Sequence, residues 1–502
     1  MGLRFKDIAQ QHAMRNALSF PNGPTLTYSE LDAASDKAAA HLLAQGGNAS
    51  QVLAIHAEKS ALTYIAMIAA LKIGMPYVVL DTASPMERLD KILQRCNPAI
   101  IVADRPFAWA GKQAMPLESL RQKIAPIDVA TIANISGSTP AYIMFTSGST
   151  GFPKGVTISH ASMVNFCEWA RTTFSITPDD VLSGANALYF DNSVFDFSAS
   201  LFNGACLVPI DRDTVTQPKA LVEAAKNCSL WFSVPSLLIY VHTLRALTAA
   251  SWPSMRAIIF GGEGFPKSEL KKLYGLYGKQ ATLWNVYGPT ECTCICSAYG
   301  ISERDFDDMD KLAPLGHMAP NFTSAVLDES GKRIVAPGET GELLLMGPQV
   351  ALGYYNDPER NQLAFAPSPL SAMVPQPCYR TGDLVWQDGQ TGYYHFAGRK
   401  DNQIKHMGYR IELEEIEAAL ASFDAIAQSA VIYHKKTPHG GSIIAFVSAT
   451  SANLDAIKQQ LRDRLPSYMI PDDIIIRDQL PKNANGKVDR KALAATYGAE
   501  HG

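Results

Sequence analysis

The sequence predicts an α/β protein: a large N-terminal domain of layered α/β subdomains plus a β-rich subdomain, followed by a small, mobile α+β C-terminal domain. Between about residues 50 and 300, short apolar runs alternate with longer amphipathic ones, as in parallel strands joined by helices. From about 314 to 396, glycine and proline turns separate short β-like runs. A small α/β pattern follows, with the boundary near Arg399 to Asp401. We therefore expect domains over residues 1–398 and 399–502.

The individual elements follow from this alternation. We predict strands at VLAIHA, LWFSV, RAIIFGG and TLWNVYG, and helices at ALTYIAMIAALKIG and PKALVEAAKNC. The C-terminal part predicts a helix from about Glu412, strands QSAVIYH and GSIIAFVS, and a helix after Asn453. In that last helix, the spacing predicts a core face formed by Leu454, Ile457, Leu461 and Leu465. Ligands of such folds lie at the carboxyl ends of strands, so the segments that follow AYIMF and TLWNV are candidate sites.

Composition excludes several classes of protein. The formal net charge is −4 over 502 residues, and no run of lysine or arginine is dense enough to follow a nucleic-acid backbone. The longest apolar stretches fall well short of about 18 residues, and the first ten residues contain no apolar signal segment. Eight cysteines in so long a chain do not form a disulfide framework. We expect a cytoplasmic protein that binds neither nucleic acid nor a membrane.

Three of the cysteines alternate along the chain. On a strand, Cys292, Cys294 and Cys296 would all lie on one face. A zinc site would need a partner cluster with ligand spacing, and the sequence offers none. We therefore expect these thiols to line a packed or ligand-facing surface.

The ten residues TSGSTGFPKG, from Thr146 to Gly155, form a glycine–hydroxyl loop after the apolar run AYIMF. Its three glycines can adopt φ > 0 and turn successive backbone N–H groups to one side, which makes an anion-binding concavity. Hydroxyls and one cation add further donors: Thr146, Ser147, Ser149, Thr150 and Lys154. This set suits a polyphosphate, although composition alone equally favours a flexible surface loop. The loop is not a Walker motif, because Gly155 rather than a hydroxyl residue follows the lysine.

This loop resembles, nearly residue for residue, the phosphate loop of the adenylate-forming superfamily. That superfamily contains acyl-CoA synthetases, firefly luciferase and the adenylation domains of nonribosomal peptide synthesis. Six further motifs of the superfamily follow in order: YFDNS at 189–193, NVYGPTE at 285–291, GELLLMGPQVALGYYNDPE at 341–359, YRTGDL at 379–384, GRKDNQIKHMGYRIELEEIE from 398, and PKNANGKVDR at 481–490. The resemblance covers almost the whole chain. It is greatest to stand-alone enzymes of the D-alanine:carrier protein ligase type.

The resemblance implies a reaction with two halves. A substrate carboxylate attacks the α-phosphorus of ATP and releases pyrophosphate, and a thiol then takes the acyl group and releases AMP. Because a carboxylate is already ionised at pH 7, the first half needs alignment and positive charge rather than a general base. The family pattern assigns catalytic roles to Lys487, which bridges the carboxylate and the α-phosphate region, and to Thr290, which donates towards phosphate. It assigns Mg²⁺ binding to Glu291.

The same pattern implies which residues hold the nucleotide. Residues Thr146 to Gly151 and Lys154 form the phosphate loop, so Gly148 and Gly151 join the hydroxyl residues named above. Tyr287 is expected to lie against adenine, beside Gly288 in the same motif. Asp383 is expected to accept from both ribose hydroxyls, and Arg399 to help hold that sugar or its phosphate.

Asp191 indicates the substrate class. On its own it might cap a helix that begins near Ser193. In amino-acid-activating members of the superfamily, however, the aspartate at this position binds the α-amino group, and a carboxylate in a mostly apolar pocket needs such a cation. The resemblance also implies the other pocket positions: Phe190, Asn192, Phe195, Gly261, Val286, Cys294 and Ile295. Phe195 and the Cys294 region favour a small or moderate side chain, and Asn192 could hydrogen-bond a polar group. The resemblance to the stand-alone ligases implies a small amino acid such as alanine.

The second half-reaction requires a different set of walls. The resemblance implies that the C-terminal domain rotates about a hinge at Asp401, and that the loop from Lys405 to Gly408 then lines a tunnel for the thiol. An exposed ion pair is the alternative role for Asp401. Since the sequence ends soon after Lys487, we expect the acceptor to be the phosphopantetheine thiol of a separate carrier protein. The alternatives are an acyl-CoA synthetase for a non-amino acid and a non-catalytic nucleotide-binding scaffold, and Asp191 and the retained motif residues argue against these in turn.

Overall fold

The computed structural model describes residues 1–122, 125–365, 367, 378–437, 440–449, 454–482 and 488–501. The chain divides into two compact units. The first comprises Met1–Thr82, Cys96–Phe145 and Gly155–Lys400, and the second comprises Ala83–Arg95, Thr146–Lys154 and Asp401–Gly502. The second unit thus includes two segments from the first 400 residues, one of which is most of the glycine–hydroxyl loop. The division into domains at Arg399 stays a prediction.

The helices are α1 Gly2–Gln11, α2 Tyr28–Ala44, α3 Ala61–Ile73, α4 Met86–Cys96, α5 Val129–Ala133, α6 His160–Thr173, α7 Asn192–Val194, α8 Arg212–Val215, α9 Pro218–Ala224, α10 Pro235–Thr243, α11 Lys267–Tyr277, α12 Pro358–Ala364, α13 Leu413–Ala421, α14 Leu454–Arg462 and α15 Arg490–His501. Short 3-10 helices span Leu117–Arg121, Thr290–Cys292, Glu303–Phe306 and Ser467–Met469. A π-helical turn, Phe195–Ala199, continues α7.

The strands are β1 Asn16–Ser19, β2 Thr25–Thr27, β3 Leu53–His56, β4 Tyr77–Val79, β5 Ile100–Ala103, β6 Ala108–Trp109, β7 Lys112–Gln113, β8 Met115–Pro116, β9 Pro140–Thr146, β10 Lys154–Ser159, β11 Val181–Gly184, β12 Cys206–Pro209, β13 Leu230–Ser233, β14 Ala257–Gly261, β15 Thr282–Tyr287, β16 Ser297–Gly300, β17 His317–Met318, β18 Thr323–Leu327, β19 Gly341–Met346, β20 Gly353–Tyr354, β21 Tyr379–Gln387, β22 Tyr394–Arg399, β23 Gln403–His406, β24 Tyr409–Glu412, β25 Ile426–Thr437, β26 Gly440–Ala449 and β27 Asp473–Ile476.

Two large sheets form the first unit in the part of the chain that the structure describes. One has nine strands in the order β17-β16-β15-β14-β13-β11-β12-β1-β2, and the other has seven in the order β20-β10-β9-β4-β3-β5-β8. Neighbours from β11 to β15 run parallel, and helices connect them. The predicted β-rich segment forms a four-stranded antiparallel sheet, β18-β19-β21-β22.

Helix α3 illustrates how local sequence sets these elements. The Ser60 hydroxyl accepts from the Thr63 N–H at 3.2 Å and so caps the first turn. Gly74 ends the helix in the left-handed region, with φ +70°, where glycine is preferred. The helix is apolar on nearly every side and almost wholly buried, as expected of a helix inside a large core.

The second unit contains the three-stranded sheet β25-β26-β27 and the hairpin β23-β24. Helices α13 and α14 share its core, where Ile457, Leu461 and Leu465 are buried as predicted. The prediction for Leu454 is wrong, because this residue begins α14 and is 37% exposed. It precedes the turn whose side chains enter the core.

The three alternating cysteines are buried in packed surfaces, as expected, but they do not lie along one strand. Cys292 ends a 3-10 helix, and Thr293 and Cys294 both adopt left-handed backbone angles, with φ of 58° and 73°. Because this pair interrupts extended backbone, the alternation is lost. Cys292 and Cys296 enter one apolar cluster, whereas Cys294 enters another.

The described residues contain neither a membrane-spanning helix nor a clustered metal site. Across the described ranges, no helix has the length and apolar character needed to cross a bilayer. Within the same residues, no cluster of three or more His, Cys, Asp or Glu side chains has the arrangement of a metal site.

Candidate active site

Strand β15 delivers the YGPTE motif of the first unit at its carboxyl end. The strand is paired in parallel with β14, which aligns Gly261 with Val286. A Cβ at Gly261 would lie 2.4 Å from the Val286 carbonyl oxygen, and one at Gly288 would lie 2.3 Å from that of Cys294. Both positions therefore require glycine for close backbone approach. The short 3-10 helix Thr290–Cys292 follows and presents Thr290 and Glu291.

Asp383 lies at the centre of a compact polar group. Its Oδ1 accepts from Arg399 at 2.6 Å, and its Oδ2 accepts from the Tyr287 hydroxyl at 2.5 Å. The Asp383 N–H donates to the Thr381 hydroxyl at 3.1 Å, which fixes the backbone of the strand. Burial, and then the charge of Asp383, raises the pKa of Tyr287 well above its usual value, so the phenol remains a donor. The structure thus joins Tyr287, Asp383 and Arg399, which the sequence had assigned to one nucleoside.

Asp191 contacts the same YGPTE segment. Its Oδ2 accepts from the Thr290 hydroxyl at 2.6 Å. Asp191 stands at the start of α7 but makes no side-chain cap hydrogen bond, so the helix-cap alternative for it is wrong. Burial, and next the charge of Asp191, raises the pKa of the Cys294 thiol.

The other predicted pocket positions divide into two groups. Phe195, Val286, Cys294 and Ile295 are buried among apolar side chains of one core. The ring of Phe195 has its centroid 5.0 Å from that of Phe232 in an edge-to-face contact. Phe190 and Asn192 flank Asp191 and are only partly buried, and the Phe190 ring lies 4.7 Å from that of Tyr189. Their role as pocket walls stays a prediction.

Glu291 is fully buried, and Tyr354 and Ala351 of the segment 347–354 donate hydrogen bonds to it. The Tyr354 hydroxyl donates to Glu291 Oε1 at 2.8 Å. The Ala351 N–H donates to the Glu291 carbonyl at 2.8 Å, and the Thr293 hydroxyl donates to the Gln349 carbonyl at 2.7 Å. Sequence reasoning did not assign Tyr354 a role, although it lies within the quoted motif GYYNDPE.

Three donors of the glycine–hydroxyl loop, all in the second unit, bind carboxylate or carbonyl oxygens. The Gly148 N–H donates to Glu415 Oε2 at 3.1 Å, and Lys154 Nζ lies 3.0 Å from Glu412 Oε1. The Ser147 hydroxyl donates to the Arg410 carbonyl at 2.8 Å. Glu415 also pairs with Arg88. These contacts show that the loop does bind anionic oxygen, here supplied by the chain itself.

The backbone of the loop differs in part from the prediction. Of its three glycines, only Gly151 has a left-handed φ, at +77°. Gly155 instead permits close approach, since a Cβ there would lie 3.0 Å from Ile143 and Phe145 side-chain atoms. The Thr146 hydroxyl is buried and has no hydrogen-bond partner among the residues that the structure describes, whereas Ser149 and Thr150 are exposed.

The hinge and tunnel residues lie in the second unit. The Asp401 carboxylate accepts from the Gln403 N–H at 3.2 Å, and Gly408 has φ +82° in the turn between β23 and β24. Lys405 on β23 is exposed. Lys487 falls outside the described residues. The roles of all four stay predictions.

Family models cover most of the sequence. The model described as AMP-binding enzyme matches residues 5–355, and that described as AMP-binding enzyme C-terminal domain matches residues 415–487. The chain belongs to the AMP-binding enzymes. This membership confirms the predicted superfamily, and the predicted use of an adenine nucleotide agrees with it.

Relatives of this AMP-binding enzyme include ligases that act with carrier proteins. It is 32% identical to an L-proline–L-prolyl-carrier protein ligase of Streptomyces coelicolor, over 97% of this chain and 95% of the relative. It is also 32% identical to a D-alanine–D-alanyl carrier protein ligase of Lacticaseibacillus rhamnosus, over 97% of both. The predicted adenylating activity and ligase class are confirmed by these matches.

Solved structures of adenylation domains share the fold of this chain. An adenylation domain of Vibrio cholerae in complex with glycyl-adenosine-5'-phosphate aligns with a TM-score of 0.84 and 25% identity, over 99% of this chain and 97% of that one. An artificially fused adenylation–carrier di-domain from Klebsiella oxytoca aligns with a TM-score of 0.81. The predicted α/β fold class is thereby confirmed.

Proposed function

We propose that this AMP-binding enzyme activates a small amino acid with ATP as an aminoacyl-AMP. It then transfers the aminoacyl group to the phosphopantetheine thiol of a separate carrier protein. The observation that carries the amino-acid assignment is Asp191, a carboxylate that borders a mostly apolar core and accepts from Thr290 at 2.6 Å. An α-ammonium group is a cation that can pair with this carboxylate.

The relatives support a small substrate. The named substrates of the two ligases are L-proline and D-alanine, and the Vibrio cholerae domain was solved with a glycyl adenylate. The side chains expected to line the pocket include Val286, Cys294 and Ile295, all of them buried, and they also favour a small substrate.

The geometry of each group supports the nucleotide role proposed for it. A carboxylate can accept about four hydrogen bonds, so Asp383 can take ribose hydroxyls in addition to Tyr287 and Arg399. The loop amides and Lys154 suit the triphosphate, because they already bind carboxylate oxygens. The Tyr287 hydroxyl donates to Asp383 and so helps to hold the carboxylate that would bind the ribose.

Glu291 provides carboxylate oxygens of the type that Mg²⁺ prefers, so its chemistry fits that ion. Mg²⁺ is commonly bound by one or two carboxylates together with substrate phosphates, so a dedicated cluster of protein ligands is unnecessary. When bound, it would offset negative charge on the triphosphate as the carboxylate approaches. The chain itself orients Glu291, holds the amino acid through the contact of Asp191 with its α-ammonium group, and supplies positive charge from Lys487.

A matched pair of acids tests the substrate class. We expect ATP–pyrophosphate exchange with alanine and none with propionate, which lacks only the amine. Asp191→Asn should raise KM for the amino acid about 30-fold or more, since losing one member of a buried charge pair costs about 2–5 kcal/mol. Asp213→Asn on the exposed surface is the control. Exchange with propionate and not with any amino acid would instead assign an acyl-CoA synthetase.

A loading assay tests the partner. Incubation with ATP, the accepted amino acid and a phosphopantetheinylated carrier protein should give a thioester on the carrier, detected by intact mass. Efficient transfer to free coenzyme A, with none to any carrier, would contradict the carrier assignment.

A further inference from the structure

We infer that Tyr354 is a positioning residue for Glu291, and that its hydroxyl sets the affinity of the enzyme for the divalent cation of MgATP. This inference rests on the proposed function, in which Glu291 is the metal-binding carboxylate. Tyr354 is 5% exposed and its hydroxyl donates to Glu291 Oε1 at 2.8 Å.

The backbone of Tyr354 is fixed at several points. Strand β20 pairs with β10, with Tyr354 opposite Val156. The Asn361 side chain binds both the backbone N–H and the backbone carbonyl of Tyr354. Its Oδ1 accepts from the Tyr354 N–H at 2.6 Å, and its Nδ2 donates to the Tyr354 carbonyl at 2.9 Å. A residue held this firmly can direct its hydroxyl to a single point.

The ring and the neighbouring glycine complete this support. The Tyr354 ring meets Phe365 in an edge-to-face contact with centroids 5.2 Å apart. A Cβ at Gly353 would lie 2.8 Å from Asn361 Oδ1, and Gly353 has φ +129°, so glycine is needed for Asn361 to reach the strand. All of this fixes a side chain whose polar atom meets Glu291.

The target is a turn that needs external support. Thr293, a β-branched residue, has φ 58°, which is uncommon for such a side chain. The segment that leads to Tyr354 holds this turn through the Thr293–Gln349 and Ala351–Glu291 hydrogen bonds described above. The Tyr354 hydroxyl extends this support to the Glu291 carboxylate itself. Partners that orient a metal-binding carboxylate typically change metal affinity or activity about 10- to 100-fold when removed.

The test variant is Tyr354→Phe, which removes the hydroxyl and keeps the packed ring. We expect the half-saturating Mg²⁺ concentration in pyrophosphate exchange to rise about 10- to 100-fold. Binding of Mn²⁺ in the presence of α,β-methylene-ATP, followed by electron paramagnetic resonance, should weaken by a similar factor. The matched control is Tyr394→Phe, which removes a buried hydroxyl bonded to Ser324 at 3.0 Å and should leave Mn²⁺ binding unchanged.

A double-variant cycle separates positioning from general stability. If Tyr354 acts through Glu291, Tyr354→Phe should weaken Mn²⁺ binding no further in an E291Q background. Unchanged Mn²⁺ affinity in Tyr354→Phe, or an equal loss with and without E291Q, would overturn the inference. Pyrophosphate exchange by the unaltered enzyme distinguishes failure of the proposed function from failure of this inference. If no acid supports exchange, both are overturned. If exchange occurs but Tyr354→Phe leaves Mn²⁺ binding unchanged, only the inference is overturned.

Discussion

Two groups of residues assigned to the nucleotide already have protein partners, and the partners have opposite charges. In the second unit, Gly148 and Lys154 of the glycine–hydroxyl loop donate to Glu415 and Glu412. In the first unit, the acceptor Asp383 binds Arg399 and Tyr287. The loop therefore holds groups of the same charge as a phosphate, whereas Asp383 is held by donors.

This difference predicts two modes of nucleotide binding. A triphosphate must displace the carboxylates from the loop, because both kinds of anion require the same N–H donors. A ribose hydroxyl need displace nothing, since Asp383 has further lone pairs and its partners keep it in place. Removing a partner should therefore help binding at the loop and harm it at Asp383.

Asp383→Asn should have the largest effect. The amide loses the charge that faces Arg399 and presents N–H groups to existing donors. Hydrogen bonds to charged groups contribute about 1.5–3 kcal/mol each. Losing the two that the Asp383 carboxylate accepts therefore predicts a fall of about 100-fold or more in kcat/KM for ATP in pyrophosphate exchange.

The control for that variant is Asp388→Asn. Asp388 is a partly exposed residue that follows β21, and its carboxylate accepts from the Thr391 N–H at 2.7 Å. It should change the same parameter less than about twofold. An Asp383→Asn enzyme with an unaltered KM for ATP would remove Asp383 from the nucleotide site.

Tyr287→Phe should have an intermediate effect of about tenfold on KM for ATP, because one hydrogen bond to a charged group is lost and the ring remains. Burial, together with the charge of Asp383, raises the pKa of the Tyr287 phenol, so the phenol is protonated well past neutral pH. The ratio of variant to unaltered enzyme should therefore stay constant between about pH 6 and 9. Exchange rates measured across that range check both statements.

A second tyrosine provides the matched control. The Tyr299 hydroxyl donates to Asp305 at 3.0 Å in the same unit. Tyr299→Phe removes the same chemical contact away from Asp383 and should not change KM for ATP. Equal effects from the two phenylalanine variants would mean that Tyr287 acts on stability alone.

Much of the fold followed from local pattern. Helix α3 and strand β15 occur where apolar runs and turn residues predicted them, because burial on one or all sides leaves a periodic signal. The errors fall where backbone geometry departs from that periodicity. Thr293 and Cys294 adopt left-handed backbone angles although neither is a glycine, so the sequence carries no signal for them. Leu454 lies at a helix end, where helical spacing no longer indicates whether a side chain is buried.

The site was predictable in its members but not in its contacts. Asp383, Arg399 and Tyr287 were each assigned to the nucleotide, yet their mutual hydrogen bonds depend on strands β15, β21 and β22 coming together. Tyr354 lies 63 positions from Glu291, and Glu412 lies 258 positions from Lys154. No local pattern encodes such pairs, since they arise only once the sheets and turns have formed.

Glu412→Gln should have the smallest effect and the opposite sign. The Lys154–Glu412 pair buries both side chains for the most part, with 10% and 7% exposed. The amide oxygen can still accept from Lys154, but the attraction of a full negative charge is lost, so a triphosphate competes with a weaker partner.

A pair contribution of about 1 kcal/mol predicts a KM for ATP about fivefold lower than that of the unaltered enzyme. Glu414→Gln, two residues away, keeps the loop contacts and should leave that KM unchanged. A higher KM in Glu412→Gln would show that this carboxylate supports the loop in its ATP-binding form, and the loop would then resemble Asp383 rather than contrast with it.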